Sequence, residues 1–424
     1  MKYLYRGHLG ERFPRNILLR LIGSLKGYFQ LDANARKAVI AQALVAMSIS
    51  VQNVDLGIYL RGMGYSPGEV GLLFSTTSIV AIALLLPGGI LADTYGRRRI
   101  ASLGLLIGGL VMLGYLYPIN LFYLLSLAVL GGIGSALYGG SIAAILADIA
   151  PTPERRNLLF SVSASTYSLA GVLGSLAGGI PSYLASLGLS AWYQYLPVIA
   201  IMGGSLLQSS LLILSIGIGS TGNPGSGRPS LVLPIKSRSV IIRGMAYGVL
   251  FSLSTGLIGS SIFSLWLNAR YGASVGVISY IYAAAQFILM FAFLASPAIA
   301  RNLGSVASIV TLQAIGFSLL LPIILVDSLI AAGLLYASII ILLSMPNPIL
   351  RSFIIGLVDP SERASASTVI ALSMNLSSSL APAVTGYYIS AGLLKVPLYL
   401  SMLIGISSVA LFYSLFSGYE KRAN

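Results

Sequence analysis

Between residues 38 and 417 one apolar run follows another, with short polar interruptions and no stretch polar enough to coat a soluble domain. A bilayer core of about 30 Å is crossed by roughly 20 apolar residues in a helix. Twelve runs meet that requirement: 38–60, 68–91, 99–117, 121–147, 158–185, 190–217, 239–267, 274–300, 304–326, 328–350, 364–391 and 395–417. The thinnest division is between the ninth and tenth, at Asp327 and Ser328. In lipid every backbone N–H and C=O must be satisfied within the spanning segment, so runs of this length are helices. The expected fold is therefore an all-α polytopic membrane protein. Only 8% of the 424 residues are charged, against roughly 25% in a soluble domain.

Charge placement sets the orientation. If residues 1–37 are cytoplasmic, 22 of the 25 lysines and arginines face that side, and only Arg61, Arg270 and Lys395 face the other. This is the positive-inside pattern, with both termini expected in the cytoplasm of a multi-pass protein in the cell membrane. It also accounts for the net charge of +14: the basic loops face lipid headgroups, and no nucleic-acid partner is expected. Residues 1–37 form a basic leader, one reading being a helix lying on the membrane surface. The chain has no cysteine and one histidine, His8, so disulfides, thiolate chemistry and a histidine metal cluster are excluded. No cofactor, metal site or enzyme constellation is expected, and there is no phosphate-binding loop for ATP.

Residues 218–238, "IGSTGNPGSGRPSLVLPIKSR", read as a cytoplasmic linker between two six-helix bundles, 38–217 and 239–417, with a tail at 418–424. An offset of 208 residues brings Glu154–Arg155 onto Glu362–Arg363, Gly96 onto Gly304, Gly178 onto Gly386 and Gly68 onto Gly276. The expected architecture is thus two pseudo-symmetric bundles.

Residues 88–100, "GGILADTYGRRRI", lie between the second and third spans. A short connection needs glycine to turn, and its arginines hold it on the cytoplasmic side. Gly89, Leu91, Ala92, Asp93, Gly96, Arg97, Arg98 and Arg99 resemble the signature loop of the major facilitator superfamily, G-x-L-A-D-R-x-G-R-[KR]-[KR], with Thr94 in place of its usual basic residue. The resemblance implies a transporter in which Asp93 engages the cytoplasmic start of the eleventh helix, here the segment from Asp359, and closes the inner face. Gly89, Asp93, Gly96, Arg97 and Arg98 are then a conformational latch. The matching loop of the second half keeps only its glycine, with Arg301 where Asp93 would fall. Asp148 is either a partner for nearby arginines or a helix terminus.

The proton-driven exporters of that family carry R-x-x-Q-G-x-G on the fourth helix and G-P-x-x-G-G on the fifth. Here Ala128 and Gly131 replace the arginine and glutamine beside Gly132 and Gly134, and Ser175 replaces the proline beside Gly174, Gly178 and Gly179. Close helix packing is the favoured reading of these glycines.

An ionisable residue within a span is costly and tends to be functional. Asp55 is such a residue, in the outer third of the first span, and Ser48, Gln52, Asp55 and Tyr59 share a helix face. It reads either as a coupling site for a proton or sodium ion, or as an outer-gate ion pair with Arg61 or Arg270. Gln52, Tyr138 and Asn347, on the first, fourth and tenth spans, are the candidates for substrate contact. Pro346 and Pro348 should break the tenth span near its inner end. No Lys, Arg or His lies deep in a span, which disfavours anionic substrates. The leading reading is a monomeric secondary transporter that moves a small neutral or cationic organic solute by alternating access, with export as one direction. The alternatives are uptake of a neutral, sugar-like solute and a non-transporting receptor or sensor on the same fold.

Overall fold

The computed structural model describes residues 31–150, 152–217, 236–360 and 362–420. The expected surface helix in the leader, most of the linker, and the last four residues of the tail lie outside the described residues. The described residues form sixteen helical segments: α1 (Ala33–Gly62), α2 (Pro67–Tyr95), α3 (Arg97–Gly114), α4 (Leu121–Ile149), α5 (Pro153–Ala177), α6 (Ile180–Ser186), α7 (Ala191–Leu214), α8 (Arg238–Leu257), α9 (Ser260–Tyr271), α10 (Val275–Leu303), α11 (Ser305–Ser318), α12 (Leu320–Leu325), α13 (Leu329–Ser344), α14 (Asn347–Gly356), α15 (Arg363–Ser390) and α16 (Val396–Glu420). Four pairs, α5–α6, α8–α9, α11–α12 and α13–α14, each make one broken span, so the segments compose twelve spans. Eleven are long and apolar enough to cross a membrane. The twelfth, α3, has 18 residues and carries Arg97, Arg98 and Arg99 in its first turn.

The first span starts earlier than expected, and more spans break than expected. The first helix begins at Ala33 rather than 38, because the Asp32 carboxylate caps it by accepting the Ala35 N–H at 2.7 Å. The tenth span does break between Ser344 and Asn347. The fifth, seventh and ninth break as well, which was not expected. The break at Ile258–Gly259 has no proline. Its freed carbonyls are taken by side chains of neighbouring spans, Tyr336 donating to Ile258 O at 3.1 Å and Thr385 to Leu257 O at 2.9 Å, and Tyr282 adds a bond to Ser260 O at 2.7 Å.

The 208-residue offset reappears in the helix limits. Shifting α2 by 208 gives the limits of α10, and the starts of α3 and α4 fall on those of α11 and α13. The caps correspond too: Ser66 with Ser274, and Asn120 with Ser328. The tight turns use glycine at positive φ, where other residues are strained. Gly64 and Gly272, and Gly96 and Gly304, are pairs at that offset, while Gly188 and Gly392 are four residues short of it.

The glycines of the fourth and fifth spans serve packing. A Cβ on Gly132 would meet Thr77 O at 2.7 Å on α2, and one on Gly134 would meet Gly104 O at 2.6 Å on α3. Gly174 likewise lies against Met47 of α1. Small residues let helix backbones approach where lipid supplies no hydrophobic drive.

Candidate functional site

The two halves meet most closely at the end of the molecule that carries Arg61. On the pseudo-two-fold axis, Ser261 donates to Asn53 Oδ1 at 2.6 Å, a bond between positions 208 residues apart. One helical turn beyond, Gly57 lies against Leu265. At the rim, Arg61 Nη1 donates to Asn268 Oδ1 at 2.7 Å.

Two seams flank this axis. A helix leaves its first N–H groups without intrahelical acceptors. In α2, Ser66 accepts one of them, from Glu69, while the Gly68 N–H donates across the seam to Ser390 Oγ of α15 at 2.7 Å. In α10, Ser274 accepts from Val277, while the Gly276 N–H donates to Ser182 Oγ of α6 at 2.7 Å. Gly68 and Gly276 differ by 208 residues, and so do Ser182 and Ser390. The same bond is therefore made twice, each time by a serine of one half capping a helix of the other. Such a bond is worth a net ~0.5–1.5 kcal/mol, because water replaces the partner when it breaks.

Sequence reasoning missed Ser182 and Ser390. The available signal was that each lies four residues after a repeat-related glycine, Gly178 or Gly386, and opposite Gly68 or Gly276. Serine is frequent here, so the pattern stands out only once the helices are placed.

Asp55 is 1% exposed, and neither carboxyl oxygen has a hydrogen-bond partner among the described residues. The outer-gate ion pair is not formed. Arg61 is engaged by Asn268. Arg270 donates to the carbonyls of Ile324 and Val326 at 3.2 and 3.1 Å, reaches Asp327 at 3.5 Å, and lies over the Trp266 and Tyr271 rings. The polar face of α1 turns into its own half rather than toward the space between the halves. Ser48 donates to Met202 O on α7, and the Tyr59 ring lies 5.0 Å from that of Tyr195 on the same helix. Asp55, between them, is next to Gly178, where an added Cβ would fall 2.7 Å from Asp55 Oδ2. The adjacent Gly179 packs near Ser279 of α10. The buried carboxyl group thus sits behind the α5–α6 break that forms one of the two seams.

The other candidates are dispersed. Gln52 is half-buried on α1. Tyr138, on α4, is half-buried at the edge of a core cluster formed by α1, α3, α4, α5 and α7. Asn347 is half-buried at the start of α14, on the break of the tenth span.

At the arginine-rich end, the described polar contacts run within one half. Asp93 accepts from Arg97 Nε at 2.9 Å, and Arg97 Nη1 reaches Asp148 at 3.0 Å, so Asp148 is an arginine partner. Partial burial opposes the charge on Arg97, yet the two carboxylates hold its pKa above the ordinary arginine value. Gly96, at φ +97°, makes the turn between α2 and α3, and Arg98 donates to Ile216 O. Gly89 has open space where a Cβ would stand. The start of α15 is tied to its own half: Glu362 accepts the backbone N–H groups of Lys236 and Ser237, both at 2.9 Å.

Comparison with known proteins places this arrangement. The Major Facilitator Superfamily profile matches residues 38–382. An uncharacterized MFS-type transporter of Methanocaldococcus jannaschii is 30% identical over 135 residues, which are 32% of this chain and 33% of that one. The puromycin resistance protein pur8 of Streptomyces alboniger is 31% identical over 141 residues, 33% of this chain and 28% of that one. The chain thus matches about a third of the length of these curated relatives. Among solved structures, a bacterial homologue of the human lysosomal transporter Spinster, inward-facing and occupied, aligns with TM-score 0.72 at 15% identity, over 90% of this chain and 96% of that one.

Proposed function

The chain belongs to the major facilitator superfamily of membrane transporters, and from that premise we propose that it exports a small neutral or cationic organic solute by alternating access, driven by a coupling ion. The observation that carries this reading is the pairing of a closure held by a few hydrogen bonds at one end with a buried carboxyl group behind it that has no hydrogen-bond partner among the described residues. Alternating access needs two states close in free energy. Two symmetry-related serine caps, the Asn53–Ser261 bond and the Arg61–Asn268 bond hold one of them. With the arginine-rich face in the cytoplasm, as charge placement favours, this is the inward-open state. The bundles 38–217 and 239–417 are then the two rocking bodies, and 218–238 the tether between them.

Asp55 is the proposed coupling site, with a proton as the favoured ion over sodium. An anion sealed without hydrogen-bond partners is expensive, and a proton removes the cost without needing the several oxygen ligands a metal ion requires. Asp93, Arg97 and Arg98 are proposed to act in the opposite state. Asp93 would leave Arg97 and engage the start of α15 when the inner face closes, with Gly89 and Gly96 giving the close approach and the turn. Of the three candidates for substrate contact, Tyr138 and Asn347 are proposed to face the solute, while Gln52 shares the α1 face that turns into its own half. The absence of a basic residue deep in a span favours a neutral or cationic cargo, and the resemblance to a resistance protein favours export.

The test is a ligand screen by thermal stabilisation of the purified protein, followed by transport of the hits in proteoliposomes with and without a pH gradient. Accumulation of an organic cation against its gradient, lost when the pH gradient is collapsed, is the expected result. Accumulation that follows sodium instead, or a sugar-like hit carried without any gradient, overturns the proton-driven export reading.

A further inference from the structure

The arginines that approach protein at the span ends differ in what neutralises them. Arg97 has two carboxylates, Arg270 has carbonyl oxygens and the Asp327 carboxylate at 3.5 Å, Arg98 and Arg363 have carbonyl oxygens, and Arg61 has an amide oxygen. Arg243, one turn into α8 on the arginine-rich side, is half-buried. Among the described residues its polar partner is the Tyr419 hydroxyl of α16, at 2.8 Å, and its guanidinium lies 5.6 Å from the centre of the Tyr419 ring. A phenol and a ring face orient a cation without cancelling its charge. Beside this pair is a cavity of about 350 Å³ lined by Arg243, Ser414, Leu415, Gly418 and Tyr419. Gly418 leaves its wall open, since a Cβ there would meet nothing within 4 Å.

We propose that this cavity between α8 and α16 binds an anionic phosphate group, carried by a lipid headgroup or free in solution. The chemistry fits in three ways. The guanidinium presents a planar fork of donors that matches phosphate oxygens. The Tyr419 hydroxyl accepts from Arg243, which leaves its own hydrogen to donate to a phosphate oxygen. Leu415 adds an apolar surface beside the polar pair, as an acyl chain would require. The cavity is on the side that gathers the basic residues of the chain, where anionic lipid is attracted. Because α8 and α16 both belong to the C-terminal half, an occupant here would brace that half.

The experiment uses the full chain in phosphatidylcholine nanodiscs and micelles. Phosphatidylglycerol is titrated in one arm and inorganic phosphate in the other, with binding read by native mass spectrometry and by thermal shift. The variants are Arg243→Gln, Gly418→Leu, which fills the cavity and keeps the charge, and Arg99→Gln, an exposed arginine of the same side. Wild type should retain phosphatidylglycerol, and both cavity variants should bind it about tenfold more weakly, Arg243→Gln through the loss of a charge-assisted hydrogen bond and Gly418→Leu through the loss of space. Arg99→Gln should bind as wild type does. A shift produced by inorganic phosphate alone, and lost in the same two variants, assigns the site to free phosphate. Equal lipid binding by wild type and Arg243→Gln overturns the proposal, as does an equal loss in Arg99→Gln. If Arg243→Gln does not fold, unweakened binding by Gly418→Leu overturns it.

Discussion

The two seams are related by the 208-residue repeat and share one hydrogen bond, yet they are built differently. Between α2 and α15 the contact is backbone on backbone: a Cβ on Gly71 would fall 2.2 Å from Pro382 O, and one on Gly386 would fall 2.3 Å from Pro67 O. The Ala383 N–H next to Pro382 donates to Ser75 Oγ across the seam at 3.0 Å. Between α10 and the α5–α6 pair the contact is through side chains. Ser279 stands where the first seam has Gly71, and a Cβ on Gly179 would meet its Cβ at an ordinary 3.5 Å. Behind this second seam lies Asp55, where the first has no ionisable counterpart, since position 263 is Phe263. Backbone packed against backbone cannot adjust by changing rotamers, whereas side chains can. The first seam is thus the stiff edge, and the second is the one that a change of charge can influence.

The largest effect is expected from locking either seam. The cysteine-free chain allows Gly68→Cys with Ser390→Cys, and separately Gly276→Cys with Ser182→Cys. A Cβ at 68 lies 3.2 Å from Ser390 Oγ, and one at 276 lies 3.0 Å from Ser182 Cβ. Oxidation should abolish transport in both, with recovery on reduction. Continued transport by a fully cross-linked seam would show that the seam does not open.

Next is Gly71→Leu, which places a side chain where the neighbouring backbone cannot yield. Transport should fall by at least ~10-fold, and cross-linking of the 68–390 pair should slow. Ser279→Leu at the matching position should cost less. An equal loss at both positions would erase the distinction between a stiff and an adaptable seam.

Asp55→Asn should remove pH-driven accumulation and leave counterflow exchange of substrate within about twofold of wild type, since exchange needs no net proton movement and the amide imitates the neutral acid. It should also speed cross-linking of the 182–276 pair more than of the 68–390 pair. Normal pH-driven accumulation in the variant would remove Asp55 from coupling.

The smallest effect on stability is expected at the opposite end. Asp93 is half-exposed in its pair with Arg97, and such pairs are worth ~0.2–1 kcal/mol. Asp93→Asn should therefore leave the melting temperature nearly unchanged while shifting the cross-linking of both seams toward the closed outer face. A large loss of melting temperature would make Asp93 a folding residue instead of a latch.

Much of the architecture was legible because it rests on one-dimensional quantities. Segment length and hydropathy gave the spans. The 208-residue offset gave the matching of Gly96 with Gly304, since positive φ at a tight turn demands glycine in any context, and the structure adds Gly64 with Gly272 at the same offset. The division at Asp327 and Ser328 and the break at Pro346 follow from local chemistry as well. The break at Ile258–Gly259 was not legible, because its freed carbonyls are satisfied by Tyr336 and Thr385 on other spans.

The sequence by itself determined that this chain crosses a membrane, how often, with which charge asymmetry, and that it is a duplicated fold. It also placed Asp55, Ser48 and Tyr59 on one face of α1. Only the tertiary structure decided where that face points: toward α7 and the α5–α6 break, and away from Arg61 and Arg270. The physical reason is that these helices are apolar on nearly every side, as a lipid environment allows, so the pattern carries no stripe to fix their rotation. Rotation is set instead by glycine contacts and single hydrogen bonds between spans. Gly178 beside Asp55, Ser390 on Gly68 and Ser182 on Gly276 are such contacts, and no local rule makes them visible before the chain is folded.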